Sequence, residues 1–415
     1  MGMDFDLSDP TLLLHHEVIA DPRPLYDILR RRAPVWRLPG QNSYLVSDPG
    51  LIREVVGRTT EFSSNLISLL YRDTSGCPVA FDIAPLGDPL HVLATADPPN
   101  HTRHRKLLQP HFSPSAVGRL EPTIRRVVEQ QLAPLLAAGQ GDIVASLSDP
   151  LPALTVCYLL GLPPEDTSRL IPLVADVSLM LDGVTDIDGM GRAGTAALEL
   201  SEYARTHLDA ARDRPSAERS GLLAVLVDAI ESQVLADYEA VPLLLQFFTA
   251  GTETTSSLIA NATETLARQA DLQERLRRHP ERIPAALEDI LRDDGPFQFH
   301  YRWTTTDASL GDVVIPANSR VLLLWAAANR PSPHEPGSAH HAVDNADPGG
   351  HFAFGRGLHF CIGAPLARLE SRIAIERLLA QTSSISLDPD HPPVRRPSIL
   401  LRRHASLPII LTGGR

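Results

Sequence analysis

The chain is poor in several residue types whose absence is informative. It has one lysine, Lys106, among 38 basic residues, three cysteines in 415 residues, and only 5% aromatic side chains. Cys77, Cys157 and Cys361 are too few and too far apart for a disulfide framework, which fits a reducing cytosol. No basic segment followed by an apolar run stands near residue 1, and no stretch approaches the roughly 20 apolar residues of a membrane span. A soluble, cytoplasmic protein without membrane insertion is therefore expected. The net charge of −12 argues against a nucleic-acid partner, because phosphate binding needs clustered cations. There is no internal repeat, low-complexity tract or composition break, so residues 1–415 are expected to form one domain.

What is present is helical periodicity. Hydrophobic residues make up 43% of the chain, enough for a large core. Apolar spacing predicts helices over 24–30, 49–56, most of 100–212, 240–268 and 283–292, with Pro242 either starting or bending the long one. A further helix follows Cys361, with Leu366, Leu369, Ile373 and Leu378 on one face. Short β-prone runs lie at 36–46, 297–305, 313–315, 321–324, 398–401 and 407–411. Residues 62–99 read as a long irregular stretch of the kind that often carries function, and 330–350 as a surface loop. The fold class predicted is mainly α with small β-sheets.

Two stretches carry chemistry. Phe354-Gly355-Arg356-Gly357-Leu358-His359-Phe360-Cys361-Ile362-Gly363 places one cysteine in a glycine-rich turn ahead of a helix N-terminus, whose free N–H groups favour a thiolate. Taken alone, the turn fits either a buried structural cysteine or a ligand to haem iron. Ala250-Gly251-Thr252-Glu253-Thr254-Thr255 interrupts the long apolar helix with a glycine that costs about 1 kcal/mol relative to alanine. Its hydroxyls could bond i−4 carbonyls and open the helix locally beside a small ligand. A solvated polar stripe is the plainer alternative, disfavoured by Phe247, Phe248, Leu258 and Ile259 on either side.

The two stretches, in this order and about a hundred residues apart, resemble the haem-thiolate monooxygenases called cytochrome P450, of the soluble bacterial type, and the likeness runs from about Asp21 to the end. It implies haem b as cofactor, a helix-rich triangular domain with the long helix over the haem, and Cys361 as the metal ligand. Phe354 matches the aromatic beside the ligand turn. His359, His101, Arg105 and Arg302 match residues that bind the haem carboxylates, a role suited to a converging cationic set. Thr254 matches the alcohol beside the reacting oxygen, Glu253 the acid that relays protons from solvent, and Gly251 the residue that relaxes the helix to admit dioxygen.

The implied reaction takes two electrons from a ferredoxin and its ferredoxin reductase. One oxygen atom enters a small lipophilic molecule by hydroxylation or epoxidation, in a setting such as secondary metabolism. A basic patch of Arg103 to Lys106 with Arg368 and Arg372 would steer the acidic ferredoxin. Oxidative coupling or cyclisation at the same haem, and a haem-binding sensor that does not turn over, are the alternatives. A zinc site from His340, His341, His351 and Cys361 fits no standard spacing. A monomer is expected.

Substrate-facing positions are expected at 66–91, Gln246, Phe247, Ala250, 297–300 and 398–401. The family pattern is broken in one place. Asp289 stands where a glutamate is usual three residues before Arg292, Glu288 lies one position early, and Asn345 aligns with the arginine that usually completes the network. Asp289 is expected to pair with Arg292 nonetheless.

Overall fold

The computed structural model describes residues 5–83, 90–330 and 350–413. Its axis is the helix Asp237–Arg268, 32 residues and so about 48 Å long. The helix starts five residues before Pro242 and continues through it. The proline lacks only the N–H that would reach the carbonyl of Tyr238, whose side chain is exposed, so water can serve that group.

A helix this apolar on all sides must be surrounded. Its first half, including Val241, Leu244, Phe247 and Phe248, joins a core with Val156, Leu160, Leu200 and Leu223. Its second half, Leu258 to Leu266, joins another with Val128, Leu147, Leu287 and Ile373. Helices Pro150–Leu160, Ile283–Asp294 and Ala364–Gln381 all pack on it.

The main sheet has five strands in the order Val35–Arg37, Ser43–Val46, Arg320–Leu323, His300–Thr304, Phe62–Ser63. Ser43–Val46 and Arg320–Leu323 run parallel, and the other pairings are antiparallel. Arg302 faces Val321 in the register, so the sheet fixes the height of Arg302 in the fold. A second sheet orders Thr382–Leu387, Pro408–Gly413 and Gln140–Asp142.

Two sequence expectations change here. Part of the stretch 62–99 is a hairpin, Ser68–Arg72 against Pro78–Asp82, closed by a turn in which the Asp73 carboxylate accepts the N–H groups of Ser75 and Cys77, each at 2.9 Å. Residues 398–401 are not a strand. The Ser398 hydroxyl accepts the N–H groups of Leu400 and Leu401 at 3.1 and 3.0 Å and turns the chain there, leaving a single bridge from Leu401 to Phe297.

Candidate active site

The cysteine turn is shaped by two left-handed glycines, Gly355 at φ 69° and Gly357 at φ 73°. Gly357 passes the Val56 backbone so closely that a Cβ there would stand 3.4 Å from it. The Cys361 N–H donates to the Phe354 carbonyl at 2.9 Å, closing the loop just before the helix Ala364–Gln381. Protein encloses Cys361 at longer range, yet its side chain has accessible surface, so it lines an internal space instead of packing against neighbours.

The expected thiolate is not held by the protein alone. Burial pushes the Cys361 thiol up. The N–H groups of Gly363 and Ala364 and the charges of Arg105 and Arg368 pull it down, but burial prevails. A coordinated metal ion would supply the missing positive charge.

Around this sulfur lies a cluster of two arginines and neutral histidines, short of anions. The His101 and His359 rings are 4.2 Å apart at their centroids. His359 Nε2 meets the Ser64 hydroxyl at 2.9 Å, and Ser64 is itself fixed by its N–H to Asp97 at 2.8 Å. Burial, then the charges of Arg302, His101, His300 and Arg105, hold His359 at about 2. Among the described residues Arg302 is buried without an ion pair and bonds the Tyr301 carbonyl at 2.7 Å, and burial brings it down to about 10. Arg105 donates to the Phe360 carbonyl at 2.6 Å, which ties its helix Asn100–Leu108 to the cysteine turn. Among the described residues, His359 Nδ1 is buried without a hydrogen bond, and His101 has none of good geometry, only a loose approach to the Leu358 main chain. Among the described residues, Asp97 is the acid acting on Arg302 and His101.

On the long helix, the Thr254 hydroxyl donates to the Ala250 carbonyl at 2.7 Å, the expected i−4 bond. The helix nevertheless stays α-helical throughout, without the predicted opening. Gly251 has a packing cause instead: a Cβ there would lie 2.8 Å from Val156 Cγ2. Glu253 is buried and bound to Arg403, which also donates to Asp149 at 2.8 Å, while Ser256 donates to the same carboxylate. The expected link from Glu253 to solvent is thus replaced by a buried ion network.

A family profile described as Cytochrome P450 matches residues 195–405. Cytochrome P450 144 of Mycobacterium tuberculosis is 35% identical over 378 residues, covering 91% of this chain and 86% of that protein. The chain belongs to the cytochrome P450 family.

The 6-deoxyerythronolide B hydroxylase of Saccharopolyspora erythraea is 31% identical over 94% of this chain and 95% of its own. The solved structure of CYP109E1 from Bacillus megaterium in complex with testosterone aligns with a TM-score of 0.83 at 27% identity, over 95% of this chain and 98% of that one. The enzyme is accordingly a cytochrome P450 monooxygenase, an oxidoreductase with haem iron, and the helix-rich fold with small sheets is as predicted. The residues present fit the haem: orphaned imidazole nitrogens and an unpaired buried arginine need carboxylates, and Cys361 lines a space beside them. Among the described residues no helix is long and apolar enough to cross a membrane.

Other expectations resolve unevenly. Asp289 does pair with Arg292, at 2.6 Å, while Asn345, His340 and His341 lie outside the described residues. Glu288 has its own network, accepting Nε and Nη2 of Arg368 at 2.7 and 2.8 Å and His351 Nε2 at 2.9 Å. The basic docking patch is largely consumed. Arg103 forks onto Glu239, Arg368 onto Glu288, and Arg372 bonds Glu121 and Glu376, leaving Lys106 as its exposed charge.

Of the substrate-facing set, Phe247 is buried against Phe112 at 5.4 Å and Phe297 stacks on His300 at 4.4 Å. The Gln246 amide is spent on the Val92 carbonyl and the Ala94 N–H. Residues 84–89 of the early loop lie outside the described residues. His300, a neutral imidazole that accepts the Trp325 Nε1–H, was missed as a member of the arginine–histidine cluster. Its two-residue spacing from Arg302 on one strand face was the available signal.

Proposed function

We propose that this chain, as a single haem-thiolate domain, binds haem b through Cys361 and holds the haem carboxylates with His101, Arg105, Arg302 and His359, Phe354 packing beside the ligand turn. The cluster of Arg105, Arg302 and histidines with orphaned buried nitrogens next to Cys361 carries this reading. Bound haem supplies the centre at which dioxygen is activated with two electrons.

The chain's own residues do the rest. The Thr254 hydroxyl, donating to the Ala250 carbonyl, presents its lone pairs outward and can accept a hydrogen bond from water or substrate-side groups. To donate outward it must release that carbonyl, at a net cost of about 1 kcal/mol. Glu253 relays protons only when it leaves Arg403, so the ion network gates it. Gly251 lets the Val156 helix approach the long helix at the residues facing the site.

The electrons come from a ferredoxin with its ferredoxin reductase, docking near Lys106 with little electrostatic steering, and the protein works as a cytoplasmic monomer. The substrate is a small lipophilic molecule that is hydroxylated or epoxidised. The relatives named for 6-deoxyerythronolide B and seen with testosterone support that class and a place in secondary metabolism.

The test is to screen lipophilic compounds for a low-to-high-spin shift of the haem, then supply NADPH, ferredoxin and reductase. A product one oxygen atom heavier than a shifting compound supports insertion. A product that has only lost two hydrogens, or no NADPH-driven product, overturns it.

A further inference from the structure

Glu288 lies on the helix Ile283–Asp294 with its side chain 12% exposed, and its carboxylate bonds Arg368 and His351, which flank the cysteine turn. Arg368 sits two turns beyond Cys361 and grips both carboxylate oxygens in a fork, the geometry that fixes direction as well as distance. His351 lies ahead of the turn. Its Nδ1 accepts the Ala353 N–H at 3.1 Å, so its proton is on Nε2 and points at Glu288, 2.9 Å away.

Both partners also close on Phe354. The Arg368 guanidinium lies 4.4 Å over that ring, and the His351 ring centroid is 5.9 Å from it. Phe354 in turn receives the Cys361 N–H at 2.9 Å. One carboxylate thus ties the strand of chain entering the turn to the helix leaving it.

We propose that Glu288 is the positioning residue of the Cys361 turn: by joining His351 to Arg368 it keeps Phe354 under the loop and the sulfur aimed. Asp289, at the usual glutamate position, bonds Arg292 on its own helix at 2.6 Å, while the neighbouring Glu288 reaches His351 and Arg368 on the two sides of the turn. The proposal rests on Cys361 being the iron ligand.

Glu288→Gln, Glu288→Asp and His351→Ala are compared with the full-length wild type. Glu264→Gln is the control: it removes a comparably buried carboxylate, bound by His404 and Arg395. In the reduced, carbon-monoxide-treated holoprotein, Glu288→Gln should raise the fraction absorbing as the thiol form several-fold. His351→Ala should do so less, Glu288→Asp should restore most of the thiolate form, and Glu264→Gln should leave it unchanged.

Hydrogen exchange on the same chains without added haem gives a second readout. The Cys361 amide and its neighbours at 352–361 should exchange several-fold faster in Glu288→Gln, with the rest of the fold unchanged. A wild-type band and wild-type protection in Glu288→Gln overturn the proposal, as does faster exchange spread evenly over the fold. A wild type without a thiolate band sinks the ligand assignment, while the exchange result still decides whether Glu288 holds the turn.

Discussion

Arg403 donates to Glu253 across 150 residues of sequence, both side chains being almost wholly inside the protein. The same guanidinium holds Asp149 at 2.8 Å, so one cation compensates two buried carboxylates. Replacing it leaves both uncompensated, and a stranded buried charge costs about 3–5 kcal/mol. Arg403→Met should therefore lose on the order of 4 kcal/mol in urea unfolding. Glu253→Gln should lose clearly less, because Arg403 keeps Asp149. Equal losses would show that the network does not centre on the arginine.

Gly251 and Val156 offer a sharper packing test. The missing Cβ would stand 2.8 Å from a β-branched side chain with little rotamer freedom. Gly251→Ala should destabilise by about 1–3 kcal/mol, the usual cost of overpacking. Adding Val156→Ala should recover most of it, and strictly additive losses would contradict the contact.

Much of this molecule was legible in its sequence because the relevant signals are local. The cysteine turn, the long helix with Gly251 and Thr254, the strand carrying Arg302 and the helix carrying His101 and Arg105 are each written within a few residues. The Asp289–Arg292 pair, one helical turn apart, was legible for the same reason. Partner choice over long separations was not: nothing near Arg403 points to Glu253, and nothing near Glu288 points to Arg368. The amide donors around Cys361 could be read from the turn and helix start, whereas the burial that outweighs them depends on the whole fold. The hairpin at Ser68–Arg72 was hidden because its strands lack clean alternation, although Asp73-Thr74-Ser75-Gly76 gave a turn signal.

Glu239 makes stability pH-dependent in a defined direction. Burial works against its charge. The fork from Arg103, the Ala236 N–H at 2.9 Å and His104 at 2.9 Å outweigh burial and bring it down to about 2. A lowered folded value means that the stabilisation is complete above the unfolded carboxylate range and is lost as pH falls toward 2, amounting to about 3 kcal/mol. Glu239→Gln should flatten the fall of the urea midpoint between about pH 4.5 and 2. An unchanged slope would contradict the assignment.

Thr254→Ala removes the one hydroxyl assigned to position a proton-bearing group at the site. The expected outcome is about a hundredfold drop in product formed per NADPH consumed, at the low end of what positioned proton donors contribute, about 10²–10⁴. Helix content and haem binding should stay the same, since the side chain bonds only its own helix. Undiminished coupling would remove Thr254 from the mechanism.

The central claim is that Cys361 ligates haem iron. The absorption spectrum of the reduced protein under carbon monoxide, for wild type and Cys361→Ala, tests it most directly. The account predicts the band of a thiolate-ligated haem in the wild type and its loss in folded Cys361→Ala. A wild type without that band, or a Cys361→Ala variant that keeps it, would contradict the account.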